Sequence, residues 1–252
     1  MYRLSGARRF VPRLVGALIS LTWTACLGAW GQGSEPLLAK LDRSGMITVL
    51  RGGTELGYVE LNAHGPNWQH APQSTATATV SPLPGGGGLR FEGTLPIPNT
   101  EGGALRFVQA VSPAPQGLAL VYDVVVLKAM KLNGLQLSLE VPTSLYADKE
   151  VLISQPGGQP DSVTLPREAA GYVWSGAASR FEVSRGTPNV LGLELRAAAD
   201  ALIQDLRNWK HDLFELRFPA LNEDQGRDMT VEDRFHLEVT VLLAGPAKLV
   251  GP

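Results

Sequence analysis

The feature that most restricts this chain is a repeat of two. From Met46 onward nearly every segment alternates apolar and polar residues. Leu135-Gln136-Leu137-Ser138-Leu139-Glu140-Val141, Leu191-Gly192-Leu193-Glu194-Leu195-Arg196, Phe214-Glu215-Leu216-Arg217-Phe218 and Phe235-His236-Leu237-Glu238-Val239-Thr240-Val241 are the clearest runs. A period of two places alternate side chains on opposite faces of a strand, one toward a core and one toward water. It suits antiparallel sheets rather than helices. Leu118 to Leu127 is apolar on both sides apart from Asp123, and reads as a central strand buried on both faces. With 28 Gly and 18 Pro in 252 residues, turns are frequent. Gly52-Gly53 predicts a tight hairpin, and Pro/Gly clusters near residues 82–88, 96–103, 113–117 and 155–160 predict loops. The pattern rules predict roughly 13 to 15 strands. Glu35 to Leu41 reads as one short helix. Arg196 to Leu206 fits helix or strand, with strand favoured after Asp200. No linker or internal repeat divides the mature chain. So many twisted strands rarely stay as one open sheet, so the expected architecture is all-β, a single large antiparallel two-sheet sandwich.

The N-terminus reads as an export signal. Arg3, Arg8, Arg9 and Arg13 precede an apolar run from Leu14 to about Trp30, and small residues Ala29 and Gly31 suit a cleavage site before Gln32. The run is shorter than the roughly 20 residues a spanning helix needs; an uncleaved anchor is the alternative. The one cysteine, Cys26, invites a lipoprotein reading, but Trp23 stands where a lipobox has an aliphatic residue. The domain reading is therefore signal peptide 1–31, lead-in 32–45 and β-sandwich 46–252, in a bacterial protein exported to the periplasm or beyond. Removing the signal takes 4 of 22 cations and no anion, leaving 18 against 24, a formal charge of −6, and no cysteine. Such a chain needs a core large enough to do without disulfides. It offers no basic patch for nucleic acid and no later stretch for stable membrane insertion.

Three stretches carry a family likeness. MITVLRGGTELGYVELNAHGPNW reads as a strand pair with an aromatic loop, GTLPIPNTEGGALRFVQAVSPAPQGLALVYDVVVLKAMKLNGLQLSLEVP as successive long meander strands, and IQDLRNWKHDLFELRFP as a late hairpin. Together they resemble the galactose-mutarotase-like supersandwich of carbohydrate-active proteins, over most of residues 46–243. The resemblance is one of architecture and cadence. It implies a sugar-related role, and no site residue of the family carries over by motif.

Two segments offer sugar-binding chemistry, which pairs an aromatic face with planar polar groups. One is Asn62 to His70, containing His64, Asn67, Trp68 and His70. The other is Gln204 to Asp212, containing Trp209 and His211, in which Asp205 is expected to pair with Arg207 or cap a turn. His64 and His70 have no standard metal spacing, and the acidic run from Glu223 to Asp233 lacks the spacing of a calcium loop. No metal or cofactor is expected: no G-x-G-x-x-G or G-x-S-x-G occurs, and Gly85 to Gly88 leads into a strand. A glycoside hydrolase needs two carboxyl groups at its site. Glu92, Glu182, Glu194 and Glu215 alternate to polar faces and read as solvated; Asp123 alone sits in an apolar strand. These readings predict a non-catalytic exported sandwich that binds carbohydrate or assembles at the cell surface. The alternatives are a carbohydrate-active enzyme of hydrolase or lyase type, which needs His64 or His70 to share a concave face with Asp123, Glu194 or Glu215, and a structural envelope protein. For the core, Leu135, Leu137, Leu139 and Val141 should share one interior with Phe235, Leu237, Val239 and Val241. Gln136, Glu140, His236 and Glu238 should face outward.

Overall fold

A computed structural model describes residues 35–252. The signal peptide, its cleavage point and Cys26 lie outside the described residues. Glu35 to Pro252 forms one compact unit of sixteen strands: β1 Leu37–Leu41, β2 Ile47–Arg51, β3 Thr54–Gly65, β4 Gln69–Pro72, β5 Thr77–Pro82, β6 Leu89–Pro96, β7 Ala104–Ala114, β8 Gly117–Val126, β9 Met130–Pro142, β10 Glu150–Ser154, β11 Pro160–Thr164, β12 Tyr172–Val183, β13 Leu191–Asp205, β14 Leu213–Met229, β15 Arg234–Leu243 and β16 Lys248–Val250. One helical turn, Thr143–Tyr146, follows β9. All strand pairings are antiparallel except β1 with β16.

Hydrogen bonds link the strands in the order β16-β1-β2-β3-β9-β14-β13-β15-β8-β7-β6-β5, with β12, β10 and β11 continuing from β13 and β4 from β3. The path cannot be flat. β3 and β7 are six strands apart, about 29 Å at the usual spacing. Yet Gln73, just after β4, accepts from Leu61 N on β3 (3.0 Å) and donates to Gln109 Oε1 on β7 (2.9 Å). The sheet therefore folds back on itself. The corner is β13, whose Leu202–Asp205 end pairs with β14 while its Leu191–Leu195 end pairs with β15. A strand that changes partners along its length is how a sandwich turns its corner. The result is a first leaf, β16-β1-β2-β3-β9-β14, and a second, β15-β8-β7-β6-β5.

The core lies between the leaves. Leu135, Leu137, Leu139 and Val141 are fully buried. Val239 and Val241 are buried in the same cluster, and Phe235 and Leu237 pack at its margin. The two rows thus share one interior, as their alternation requires. The core also contains a polar tie. The Gln73 amide donates to Ser44 O and Gln109 Oε1 and accepts from Leu61 N and Tyr122 Oη, and Gln109 donates to Gly45 O. All of these side chains are buried and each amide group is used, the condition under which a buried network costs little. Gly45, at φ 90°, leaves no room for a Cβ beside Gln109.

Local expectations fare variously. Gly52 and Gly53 both have positive φ and join β2 to β3 with Arg51 opposite Thr54, as a two-residue hairpin requires. Residues 196–205 are strand throughout, and Leu206 opens the short turn Leu206–Trp209. The helix expected over Glu35 to Leu41 is strand β1, because two neighbours, β2 and β16, complete its ladder and Ala39 and Leu41 point inward. β8 is fully covered on one face, by Leu118, Leu120, Tyr122, Val124 and Val126; on the other, Val125 is buried, Ala119 and Val121 are half-buried and Asp123 is exposed.

Candidate functional site

The face of the first leaf opposite the core carries polar residues, and cross-strand register lines them up. Residues directly opposite in a ladder share a face. Tyr58 on β3 stands opposite Glu140 on β9, which stands opposite Glu215 on β14, then Gln204 on β13 and Tyr172 on β12. The next row is Glu60, Ser138, Arg217 and Leu202; the third begins Asn62, Gln136; the fourth is His64, Gly134. These side chains are not solvated. Gln136 is 1% exposed, Glu215 4% and Glu140 7%, with Glu60, Asn62, Ser138, Gln204 and Arg217 also buried. The outward-facing, solvated role expected for Gln136, Glu140 and Glu215 is therefore corrected: they leave the apolar core but enter a second, polar interior. Asp123 reverses the other way, its side chain 63% exposed and hydrogen-bonded to His236 Nδ1 at 2.7 Å. His236 and Glu238 do face outward.

Three carboxyl groups crowd this face. Glu215 is the best held: it accepts from Gln136 Nε2 (3.0 Å), Ser138 Oγ (2.6 Å) and Arg217 Nη1 (3.0 Å). Glu60 accepts from Ser74 N at 3.0 Å; burial raises its pKa, partly offset by that bond. Among the described residues no cation pairs with Glu140. Burial first, then the charges of Glu215 and Glu60, push it up to about 8, against the hydrogen bonds it accepts from Tyr58 and Asn62. One guanidinium cannot neutralise three buried carboxylates, so one carboxyl keeps its proton near neutrality.

The β3–β4 hairpin closes one end of the face. Gly65 leads into a tight turn in which Asn67 and Trp68 both have positive φ, 60° and 58°, a conformation rarely held by a tryptophan unless its surroundings fix it. Gly134 supplies the space: a Cβ there would lie 3.2 Å from the Trp68 ring and 3.1 Å from His64. His64 makes an edge contact with Trp68 (centroids 5.4 Å) and stacks on His70 (5.3 Å). Asn62 turns its Nδ2 toward Glu140 (3.4 Å), so its Oδ1 accepts from His70 Nε2 at 2.9 Å. Burial lowers both histidines, with His64 reaching about 4, so both rings are neutral at pH 7. Among the described residues Gln136 Oε1 has no hydrogen-bond partner, and the His64 ring nitrogens have none of good geometry, the Trp68 backbone acting on the ring only at the margin, although all three atoms are shielded from water.

Of the residues singled out from sequence, His64, Trp68 and His70 are brought together here. Asn67 is exposed at the hairpin tip. His211, also exposed, lies near enough for its charge to lower His70. Trp209 is 51% exposed on the turn that follows β13. There Asp205, wholly buried, accepts from Arg207 and from Ala170 N, as pairing and capping both predicted. Tyr58, Glu60, Gln136, Glu140 and Arg217 escaped sequence reasoning, because their alternation matches that of any strand with a wet face. Among the described residues no group of three or more His, Cys, Asp or Glu side chains is placed to hold a metal ion, and no helix is long and apolar enough to cross a membrane.

No protein-family model and no curated relative matches the chain. Solved structures do. A putative aldose 1-epimerase from Escherichia coli K12 superposes with a TM-score of 0.50 at 11% identity, covering 84% of this chain and 99% of that one. A galactose mutarotase-like protein from Lactobacillus casei ATCC 334 gives 0.50 at 10% identity, covering 84% and 98%. At such identities the likeness speaks for the backbone arrangement and not for an activity. The chain has the galactose mutarotase-like fold.

Proposed function

We propose that the polar face of β3, β9 and β14 binds a carbohydrate. The observation that carries this reading is a set of shielded atoms left, among the described residues, without a well-formed hydrogen bond: Gln136 Oε1 and the ring nitrogens of His64. Buried polar atoms in native proteins nearly always find a partner, and a ligand rich in hydroxyl groups both donates to an amide oxygen and bonds to either imidazole nitrogen. Trp68 adds an aromatic wall, and the fold is shared with proteins described as mutarotase-like. The test is calorimetric titration of the mature protein with neutral sugars, preceded by a glycan array to choose them. Gln136→Leu and Trp68→Ala should each weaken binding at least several-fold. Undiminished binding by both variants would place the ligand elsewhere.

A second reading, proton transfer on the bound sugar, draws on one observation: a carboxyl held protonated, Glu140, stands opposite a carboxylate held by Arg217, Glu215. Environments that separate two acids in this way supply a donor and an acceptor together. The E. coli neighbour's description as a putative aldose 1-epimerase makes anomeric proton transfer the reaction to try first. Mutarotation of free aldoses followed by polarimetry, with Glu140→Gln and Glu215→Gln as controls, decides between binder and enzyme. Export belongs to the same proposal: cleavage before Gln32 would deliver an acidic, cysteine-free binder outside the cytoplasm, and mass spectrometry of the mature protein reads its first residue.

A further inference from the structure

The polar row does not end where its buried acids end. From Glu215 it continues across β13 and β12 through Gln204 to Tyr172, which is 70% exposed. Five strands at the usual spacing make the row about 19 Å long from Tyr58 to Tyr172. A second exposed aromatic, Trp209, stands beside its far end. A Cβ on Gly171, the neighbour of Tyr172, would lie 3.0 Å from the side chain of Asn208, the neighbour of Trp209. The corner that presents both rings is rigid. Asp205 N donates to Gly171 O at 2.6 Å, the Asp205 carboxylate accepts from Ala170 N, and Arg207 bonds back to Asp205 and to Pro166 O. Two large aromatic rings, Tyr172 and Trp209, are thus exposed on one braced corner.

We infer that this face takes a neutral oligosaccharide rather than a single sugar, with one ring among Gln136, Glu140 and His64 and further rings laid along Gln204 toward Tyr172 and Trp209. The inference rests on the carbohydrate reading above and extends it. Length favours it: the row is longer than one pyranose ring can bridge, and its two ends differ in kind, a shielded polar end and an open aromatic end. Charge selects the class. Glu60, Glu140 and Glu215 share these rows with one guanidinium, Arg217, already held by Glu215. A uronic or sulfated ring set among those acids would meet carboxyl groups with no unpaired cation in the same rows, Lys210 beside Trp209 lying outside them.

The test is calorimetric titration of the mature protein with gluco- and galacto-configured sugars from mono- to tetrasaccharide, beside the matching uronic-acid oligomers. Affinity should rise with the number of neutral rings and be absent for the uronic series. Tyr172→Ala and Trp209→Ala, both at exposed positions that leave the core intact, should each cost the tetrasaccharide roughly three- to ten-fold, the worth of one aromatic contact. Far-ultraviolet circular dichroism checks that both variants remain folded. Equal affinity for one ring and four, or an unchanged dependence on length in both variants, would overturn the extended site while leaving a monosaccharide site standing. Binding of the uronic series in preference to the neutral one would overturn the charge argument. Failure of every sugar of every length would overturn the carbohydrate reading itself, and this inference with it.

Discussion

Replacing Glu140 with glutamine should change how stability depends on pH more than it changes stability itself. In the folded protein burial and the Glu215 charge raise this carboxyl from 4.5 to about 8. Between those values the native state keeps a proton that the unfolded chain has released. Stability is then fully present below the unfolded pKa and is lost as pH rises through the folded one. The gap of about 3.5 pH units, at about 1.4 kcal/mol per unit, sets a ceiling of about 5 kcal/mol. His64 acts in the opposite sense, since its depressed pKa of about 4 makes stability rise with pH up to about 6.5. The informative window is therefore pH 6.5 to 8, where His64 is neutral in the folded protein and its remaining titration in the unfolded chain is common to wild type and variant. There the wild type should lose about 2 kcal/mol that the variant keeps. The amide retains a carbonyl oxygen to accept from Tyr58 and Asn62 but cannot ionise. His236, raised by its bonds to Asp123 and Glu238, titrates equally in both proteins and cancels from the difference. Urea midpoints at constant m, taken at half-unit intervals from pH 6 to 9, provide the measurement. Parallel curves for wild type and Glu140→Gln across pH 6.5 to 8 would refute the claim that Glu140 is buried without a cation.

Other outcomes follow from the same packing. Leu137→Ala should cost about 2–5 kcal/mol, as for a fully buried leucine, whereas His236→Ala on the wet face should stay near 0.5 kcal/mol; similar small losses at both sites would contradict the two-face assignment. Gln73→Leu should cost roughly 2–5 kcal/mol, because it strands the Leu61 N–H and the Tyr122 hydroxyl inside the core; a neutral substitution would mean that the tie between the leaves is not formed. In an NMR titration His64 should protonate only near pH 4, while His236 should titrate above the ordinary 6.5 and move down in Asp123→Asn.

What the sequence determines by itself is facing. A period of two fixes which side chains share a side, so Leu135, Leu137, Leu139 and Val141 had to be buried together, and Gly52-Gly53 had to turn the chain, whatever the rest of the fold. Period two cannot say whether the opposite side meets water or another polar row. Gln136, Glu140 and Glu215 have the same pattern as His236 and Glu238, yet the first three are buried and the last two are solvated. The difference arises because β3, β9 and β14, distant in sequence, become neighbours, and because the Trp68 hairpin closes over Gly134. Strand order also decided that Asp123, the one acid in an apolar strand, lies on an outer face beside His236, and that residues 37–41, alone suited to a short helix, are held as a strand by partners from both ends of the chain. Alternation is a local property of one strand. Which strands lie side by side is settled by long-range pairing, and that is what collects three carboxyls and an arginine into one polar interior, with His64 at its edge and His70 at its exposed rim.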